Sequence, residues 1–305
     1  MLRRKNQFIG IYCFAVLLGL APLSIAQSRV SCDVLLRETI ESMSLLPKRV
    51  RSLLDKRKYQ EAAWLAWDLG YTNESLRLET NLQALMERDP IIGFDDQKDA
   101  SSDAYRLKLK SGIEGVWKSS ELWGNREVAN SDYSRLFHSN LVPMTVRRKF
   151  QGEWGTFQYF YSDAPRADRA DLSKHRFSAD FFFHDFTTDQ SDGHSEYGPA
   201  RKNMNLLLTK RWREVLIDNE DSFTLRDEID EKLMQELWRD QVLKPAKAFG
   251  LKMEDIRPTP RRLAEISGVS DKQIRKVLTR TIRDCSECIE QVIQRRAYYL
   301  RRMAP

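Results

Sequence analysis

Two apolar triplets, Leu206-Leu207-Leu208 and Val215-Leu216-Ile217, flank a short basic turn. Such a pair predicts two short strands folded into a hairpin. Asn205 immediately precedes the first triplet and Asp218 immediately follows the second, so the hairpin holds an amide oxygen and a carboxylate near each other. That donor pair suits a hard divalent cation, which takes oxygen ligands and keeps several waters. The aromatic block beginning at Phe181 ends in a polar run that carries Asp192, Gly193 and His194. This run is predicted to be the loop leading toward the hairpin. The whole stretch 181–223 therefore constrains the chain to build a polar, metal-competent site on a short β scaffold, as phosphoryl-transfer chemistry needs.

The 305 residues suffice for one large domain or two modest ones, and 41% hydrophobic with 31% charged residues argues for a packed core. The net charge of +6 falls to +3 without Arg3, Arg4 and Lys5. That is too weak to imply a nucleic-acid partner. Those three cations precede an apolar run from Phe8 to Ala21, and Ser24-Ile25-Ala26 follows it. The pattern predicts a signal peptide over 1–26, cleavage after Ala26, and an exported chain, periplasmic or extracellular; an uncleaved anchor is the rival. Of the cysteines beyond this leader, Cys32, Cys285 and Cys288, the number is odd, so no complete disulfide framework is encoded. Cys285 and Cys288 fall on one face of a helical pattern; a redox or metal role is the alternative, but no His or Cys partners cluster nearby, and small buried side chains are expected.

Residues 27–93 read as a helical module, with Leu35, Leu36, Ile40 and Met43 at helical spacing and an apolar helix around Trp64 and Trp67 that Gly70 ends. The Asp-rich stretch 92–102 is expected to be a linker. The periodicity then changes to two. Tyr105, Leu107 and Leu109 alternate with cations, and 113–118, 144–149 and 156–161 supply further strands. A helix opening at Gly124-Asn125 separates the second strand from the third and carries Glu127 in its first turn. Lys118 ends the strand before it. A strand lysine is a compact charge suited to nucleotide phosphates, and a helix glutamate can hold it in place. The bland alternative is a surface lysine and a helix-start glutamate with no contact.

With these residues in view, the chain resembles the atypical kinases that group the phosphatidylinositol 3-/4-kinases with HipA-type protein kinases and the secretory-pathway casein kinases. Gly115-Val116-Trp117-Lys118 resembles the strand with the nucleotide lysine. Glu127 through Leu141-Val142-Pro143-Met144-Thr145-Val146 is similar to the glutamate helix and the turn after it. Gln190-Ser191-Asp192-Gly193-His194 resembles the catalytic loop, Asn203-Met204-Asn205-Leu206-Leu207 the asparagine run, and Ile217-Asp218-Asn219 the metal segment. The resemblance implies an α+β, two-lobed protein-kinase-like fold behind the helical module, with a small lobe over 94–162 and a mostly helical large lobe over 163–305. It implies ATP and Mg²⁺ or Mn²⁺ as cofactors. Lys118 is assigned to the phosphates with Glu127 orienting it, and Phe157, Gln158 and Tyr159 to the nucleotide. Asp192 is assigned to the acceptor hydroxyl, His194 to the same loop and to catalysis, and Asn205 and Asp218 to the metal. The acceptor is a protein, lipid or small-molecule hydroxyl.

The sequence departs from the pattern in three places. Gly193 replaces the usual Arg, 195–202 is an insertion that leaves Asn203 and Asn205 both eligible as ligand, and Glu220 stands where the family has Gly. A catalytically inactive kinase-fold binding protein is the alternative reading. Residues 263–278 also resemble a helix-turn-helix, which two packed large-lobe helices would equally produce, and an export signal argues against DNA. The basic run Arg295-Arg296 and Arg301-Arg302 beside Tyr298-Tyr299 reads as a solvated face, with an anionic membrane surface as the weaker partner.

Overall fold

The structure is a computed structural model, and it describes residues 34, 46–96, 104–119, 124–162, 164, 175–189, 205–209, 213–217, 222–223, 225–226 and 229–304. The fold is α+β. Strands β1 (Ile91–Asp96), β2 (Ala104–Leu109), β3 (Glu114–Ser119), β4 (Thr145–Phe150) and β5 (Glu153–Tyr159) form one sheet in the order β1-β2-β3-β5-β4, antiparallel throughout. Turn chemistry sets the two tight hairpins. Gly112 has φ +83 between β2 and β3, and Gln151 and Gly152 are both at positive φ between β4 and β5, as a two-residue turn that follows the strand twist requires.

Strand β1 differs from the linker expected at 92–102, and it runs across position 93. It is an edge strand, so only one side of its backbone pairs, and its polar Asp95 and Asp96 face solvent. Phe94 holds it down by packing edge-on against Phe150. A polar edge strand lacks the alternation by which a half-buried strand is recognised.

Helices α1 (Lys48–Asp55), α2 (Tyr59–Asp68) and α3 (Thr72–Arg88) share a single hydrophobic core with this sheet. Val50, Leu54, Trp64, Leu82 and Met86 meet Leu107, Leu109, Trp117 and Phe157 there. Polar ties fix the join. Arg148 of β4 donates to the carbonyl oxygens of Met86 and Asp89, which end α3. The Met144 amide donates to Gln60 Oε1 at 2.9 Å, and the Tyr159 hydroxyl to Glu61 Oε2 at 2.9 Å.

A second core lies beyond α4 (Gly124–Leu136). It gathers Tyr133 of α4 and Phe137 just after it, Phe181, Phe182, Phe183 and Phe186 of α5 (Ala179–Thr188), and Trp238, Tyr298 and Tyr299. The chain around them runs through hairpin β6 (Leu206–Leu208) and β7 (Glu214–Leu216), α6 (Glu231–Trp238), a π-helical turn (Arg239–Leu243), α7 (Lys244–Ala248) and α8 (Met253–Ile256). It ends in α9 (Pro260–Gly268), α10 (Asp271–Leu278) and α11 (Ser286–Met303). Two cores, one on each side of α4, give the two lobes. Among the described residues no helix is long and apolar enough to cross a membrane.

Two sequence expectations change in the last helices. Arg295 and Arg296 are buried, not solvated, and so are Tyr298 and Tyr299; Arg301 and Arg302 alone of that basic run stay exposed. Arg296 serves α9 by donating to the Ile266 and Ser267 carbonyls at 3.0 Å, satisfying a helix end that α10 turns away from. Cys285 does not lie on the helix with Cys288. It is the N-cap of α11, and from there it is disulfide-bonded to Cys288 with the Cα atoms 5.2 Å apart. The helix-turn-helix stretch forms α9 and α10, and the second of these turns Ile274 and Leu278 into the large core, while exposed Arg275 pairs with Glu290 of α11 at 2.7 Å.

Candidate active site

Lys118 of β3 lies opposite Thr156 of β5, and Val116 opposite Gln158. Because side chains alternate, these four share one sheet face, while Trp117, Phe157 and Tyr159 point to the other. Helix α4 crosses the first face and delivers Glu127. The Lys118 ammonium sits 3.3 Å from Glu127 Oε1, and Thr156 Oγ1 donates to Glu127 Oε2 at 2.6 Å. Glu127 is 2% exposed. A buried carboxylate needs such donors, and it fixes the lysine in return. Gly155 permits the close strand approach beside the pair, since any Cβ there would meet the Lys118 carbonyl oxygen and the Trp117 ring.

Of the β5 residues assigned to the nucleotide, Gln158 shares the Lys118 face, and its amide donates to Thr145 Oγ1 at 3.1 Å. Phe157 and Tyr159 go the other way. Their side chains are buried in the core with the N-terminal helices, Phe157 beneath the Arg148 guanidinium and Tyr159 bonded to Glu61. The aromatic block at 157–161 does not by itself reveal which of its members faces the cleft; the register with Lys118 does.

The hairpin forms with Leu206 opposite Leu216, and the Ile217 amide donates to the Asn205 carbonyl oxygen at 3.0 Å. Asn205 is buried beside the residue that precedes Asp218. Asp192, His194, Asn203 and Asp218 lie outside the described residues. Their flanks do not. The Phe223 amide donates to the Thr188 carbonyl oxygen at 2.6 Å, so the chain leaving Asp218 is tied to the end of α5, from which the Asp192 stretch departs. Among the described residues no three His, Cys, Asp or Glu side chains gather as a metal site. Of the residues expected to hold a hard cation, the structure describes Asn205 alone.

Two buried networks that sequence reading missed brace these flanks. Asn130, one turn beyond Glu127 on α4, donates from Nδ2 to Ser222 Oγ and accepts at Oδ1 from His184 Nε2 of α5. Asp189, in the left-handed region at φ +51, caps the end of α5. It accepts from Arg226 Nε at 2.8 Å, Gln241 Nε2 at 2.6 Å and Arg295 Nη2 at 2.7 Å. Burial pushes the Asp189 carboxyl up, but the Arg295 and Arg226 guanidiniums outweigh it and hold the group below the ordinary carboxylate range. One signal for the first network was present in the sequence: Asn130 follows Glu127 by three positions, on the same helix face.

The strand order, the helix inserted between β3 and β4, and the lysine–glutamate pair that joins them define a kinase-like α+β fold. No protein-family model and no curated protein matches the sequence. Among solved structures, the chain is similar to a Golgi casein kinase with Mn/ADP bound, at 11% identity and a TM-score of 0.45 over 74% of this chain and 75% of that one. It is also similar to hydra Fam20 with sugar, at 12% identity and a TM-score of 0.47 over 74% of this chain and 88% of that one.

Proposed function

We propose that the chain is an exported phosphotransferase that moves the terminal phosphoryl group of ATP to a hydroxyl of a protein, lipid or small molecule. The observation that carries this reading is the Lys118–Glu127 pair, held by Thr156 on the sheet face that α4 covers. Lys118 neutralises nucleotide phosphate charge, and Glu127 keeps the ammonium from swinging to solvent. Asp192 accepts or positions the acceptor hydroxyl proton, with His194 on the same loop. Asn205 and Asp218 hold Mg²⁺ or Mn²⁺, which offsets charge on the transferring phosphoryl group. Such a site works by placement, since phosphoryl transfer needs little covalent help from the protein. The leader at 1–26 supports export.

A binding protein on the same fold is the second reading, favoured by Gly193 in place of Arg and Glu220 in place of Gly. Incubation of the chain with labelled ATP and Mn²⁺, scored for autophosphorylation and lipid products, separates the two. Transfer that disappears in Asp192→Ala supports the enzyme. Nucleotide binding without transfer supports the binding protein.

A further inference from the structure

We propose that Cys285 and Cys288 form a thiol–disulfide exchange site that takes dithiol or disulfide partners, separate from the nucleotide cleft. The two sulfurs are not equivalent. Cys288 is 2% exposed and packs in the large-lobe core. Cys285 is half-buried, and Arg283, Asp284, Ser286 and Glu287 around it are all exposed. Of the two residues, Cys285 is therefore the one that a partner in solution approaches.

Position gives Cys285 its chemistry. It caps an 18-residue helix, and its sulfur accepts from the Cys288 amide at 3.3 Å. The amides at a helix start favour negative charge on a sulfur placed there, which makes Cys285 a good thiolate both to attack and to leave. The bond contributes little as a staple. It joins positions three apart, where loop-closure entropy is smallest, and α11 is held independently by Arg295, Arg296 and Tyr299.

The exchange balances without any further oxidant. A thiolate of an incoming dithiol attacks Cys285, forming a mixed disulfide and breaking the bond to Cys288, whose sulfur leaves and takes up a proton. The partner's second thiol then attacks its own sulfur in the mixed disulfide. Cys285 leaves as a thiolate at the helix start, and the partner departs as a disulfide. Two electrons pass from the dithiol to the cysteine pair. The reverse sequence oxidises the pair and reduces a partner disulfide.

The test uses the full chain, glutathione redox buffers and dithiothreitol, with adducts mapped by peptide mass so that Cys13 and Cys32 are scored separately. The pair should reduce and reoxidise reversibly while the near-UV circular dichroism stays native. In Cys288→Ser, glutathione should be trapped on Cys285 at least about tenfold faster than on Cys288 in Cys285→Ser, as expected for a helix-start sulfur against a buried one. Serine keeps the helix cap in the latter variant. Equal trapping at the two sulfurs, or reduction seen only once the chain is unfolded, overturns the proposal. If either variant fails to fold, alkylation of the briefly reduced wild type decides it: Cys285 modified first supports exchange, and Cys288 first or neither overturns it.

Discussion

Asp189 and Arg295, 106 positions apart, meet in the large-lobe core with Arg295 Nη2 donating to Asp189 Oδ2 at 2.7 Å. The same guanidinium donates from Nη1 to the Phe186 carbonyl oxygen at 3.1 Å, so one side chain of α11 holds both the last turn and the cap of α5. Without Arg295, the buried Asp189 carboxylate keeps only the half-buried Arg226 and Gln241 as donors. Arg295→Met should therefore destabilise the fold by about 1–3 kcal/mol, read from urea unfolding. A loss under about 1 kcal/mol, the scale of an exposed pair, would contradict the burial assigned here.

The same pair sets an acid limit. The Asp189 carboxyl titrates lower in the folded chain than in the unfolded one. Its contribution is fully present above the unfolded value, about 3.9, and is lost as pH falls through the lower folded value. Stability measured as a function of pH should drop on that acid side, and Asp189→Asn should flatten the drop. An unchanged acid slope in Asp189→Asn would place the acid sensitivity in other carboxylates.

Phe157 separates the two faces of the sheet. It is fully buried against the N-terminal helices, and Gly115 opposite the ring edge leaves no room for a Cβ. Phe157→Ala should cost about 3–5 kcal/mol of stability. At a temperature where the variant is still folded, calorimetry should find ATP affinity unchanged. Weakened ATP binding with stability intact would return Phe157 to the nucleotide side.

What was legible in the sequence was local. Lys118 and Glu127 are nine positions apart on a strand and the helix after it, elements that pattern places while the resemblance implies their pairing, and the β6–β7 triplets are separated by one short turn. Ser222 is 92 positions from Asn130, and no periodicity links such residues. Arg295 looked solvated because charge is normally exposed, and only its distant partner Asp189 makes burial tolerable. The helical pattern runs on through Cys285, but α11 starts at Ser286, and that boundary decides between a helix face and a cap.

Lys118→Ala should weaken ATP binding about tenfold or more, corresponding to roughly 1.4 kcal/mol, by removing the phosphate charge directly. Glu127→Ala should weaken it less, because Glu127 acts by orienting the lysine. ATP-dependent shifts in thermal unfolding give both numbers. If neither substitution changes the shift while the fold stays intact, the small-lobe cleft is not where ATP binds.

The metal pair is the sharpest test of the proposed activity. Asp218 directly follows the apolar triplet Val215-Leu216-Ile217 in the sequence, and on the proposed reading a divalent cation shared with Asn205 would give its carboxylate a partner. Asp218→Asn should abolish Mn²⁺- or Mg²⁺-dependent nucleotide binding and leave the fold standing. Its metal-free stability should equal or exceed that of the wild type, because the substitution removes a charge that lacks its cation. Asn205→Ala should weaken metal-dependent binding more mildly, and Asn203→Ala should do little. The reverse order would make Asn203 the ligand. Asp192→Ala should spare metal binding and lower transfer by on the order of a hundredfold or more, the scale of a positioned general base. Titration calorimetry with Mn²⁺ and a non-hydrolysable ATP analogue reads binding in all four variants, and incubation with labelled ATP reads transfer in Asp192→Ala. If the wild type itself binds no metal–nucleotide complex, the kinase-like fold remains and the phosphotransferase does not.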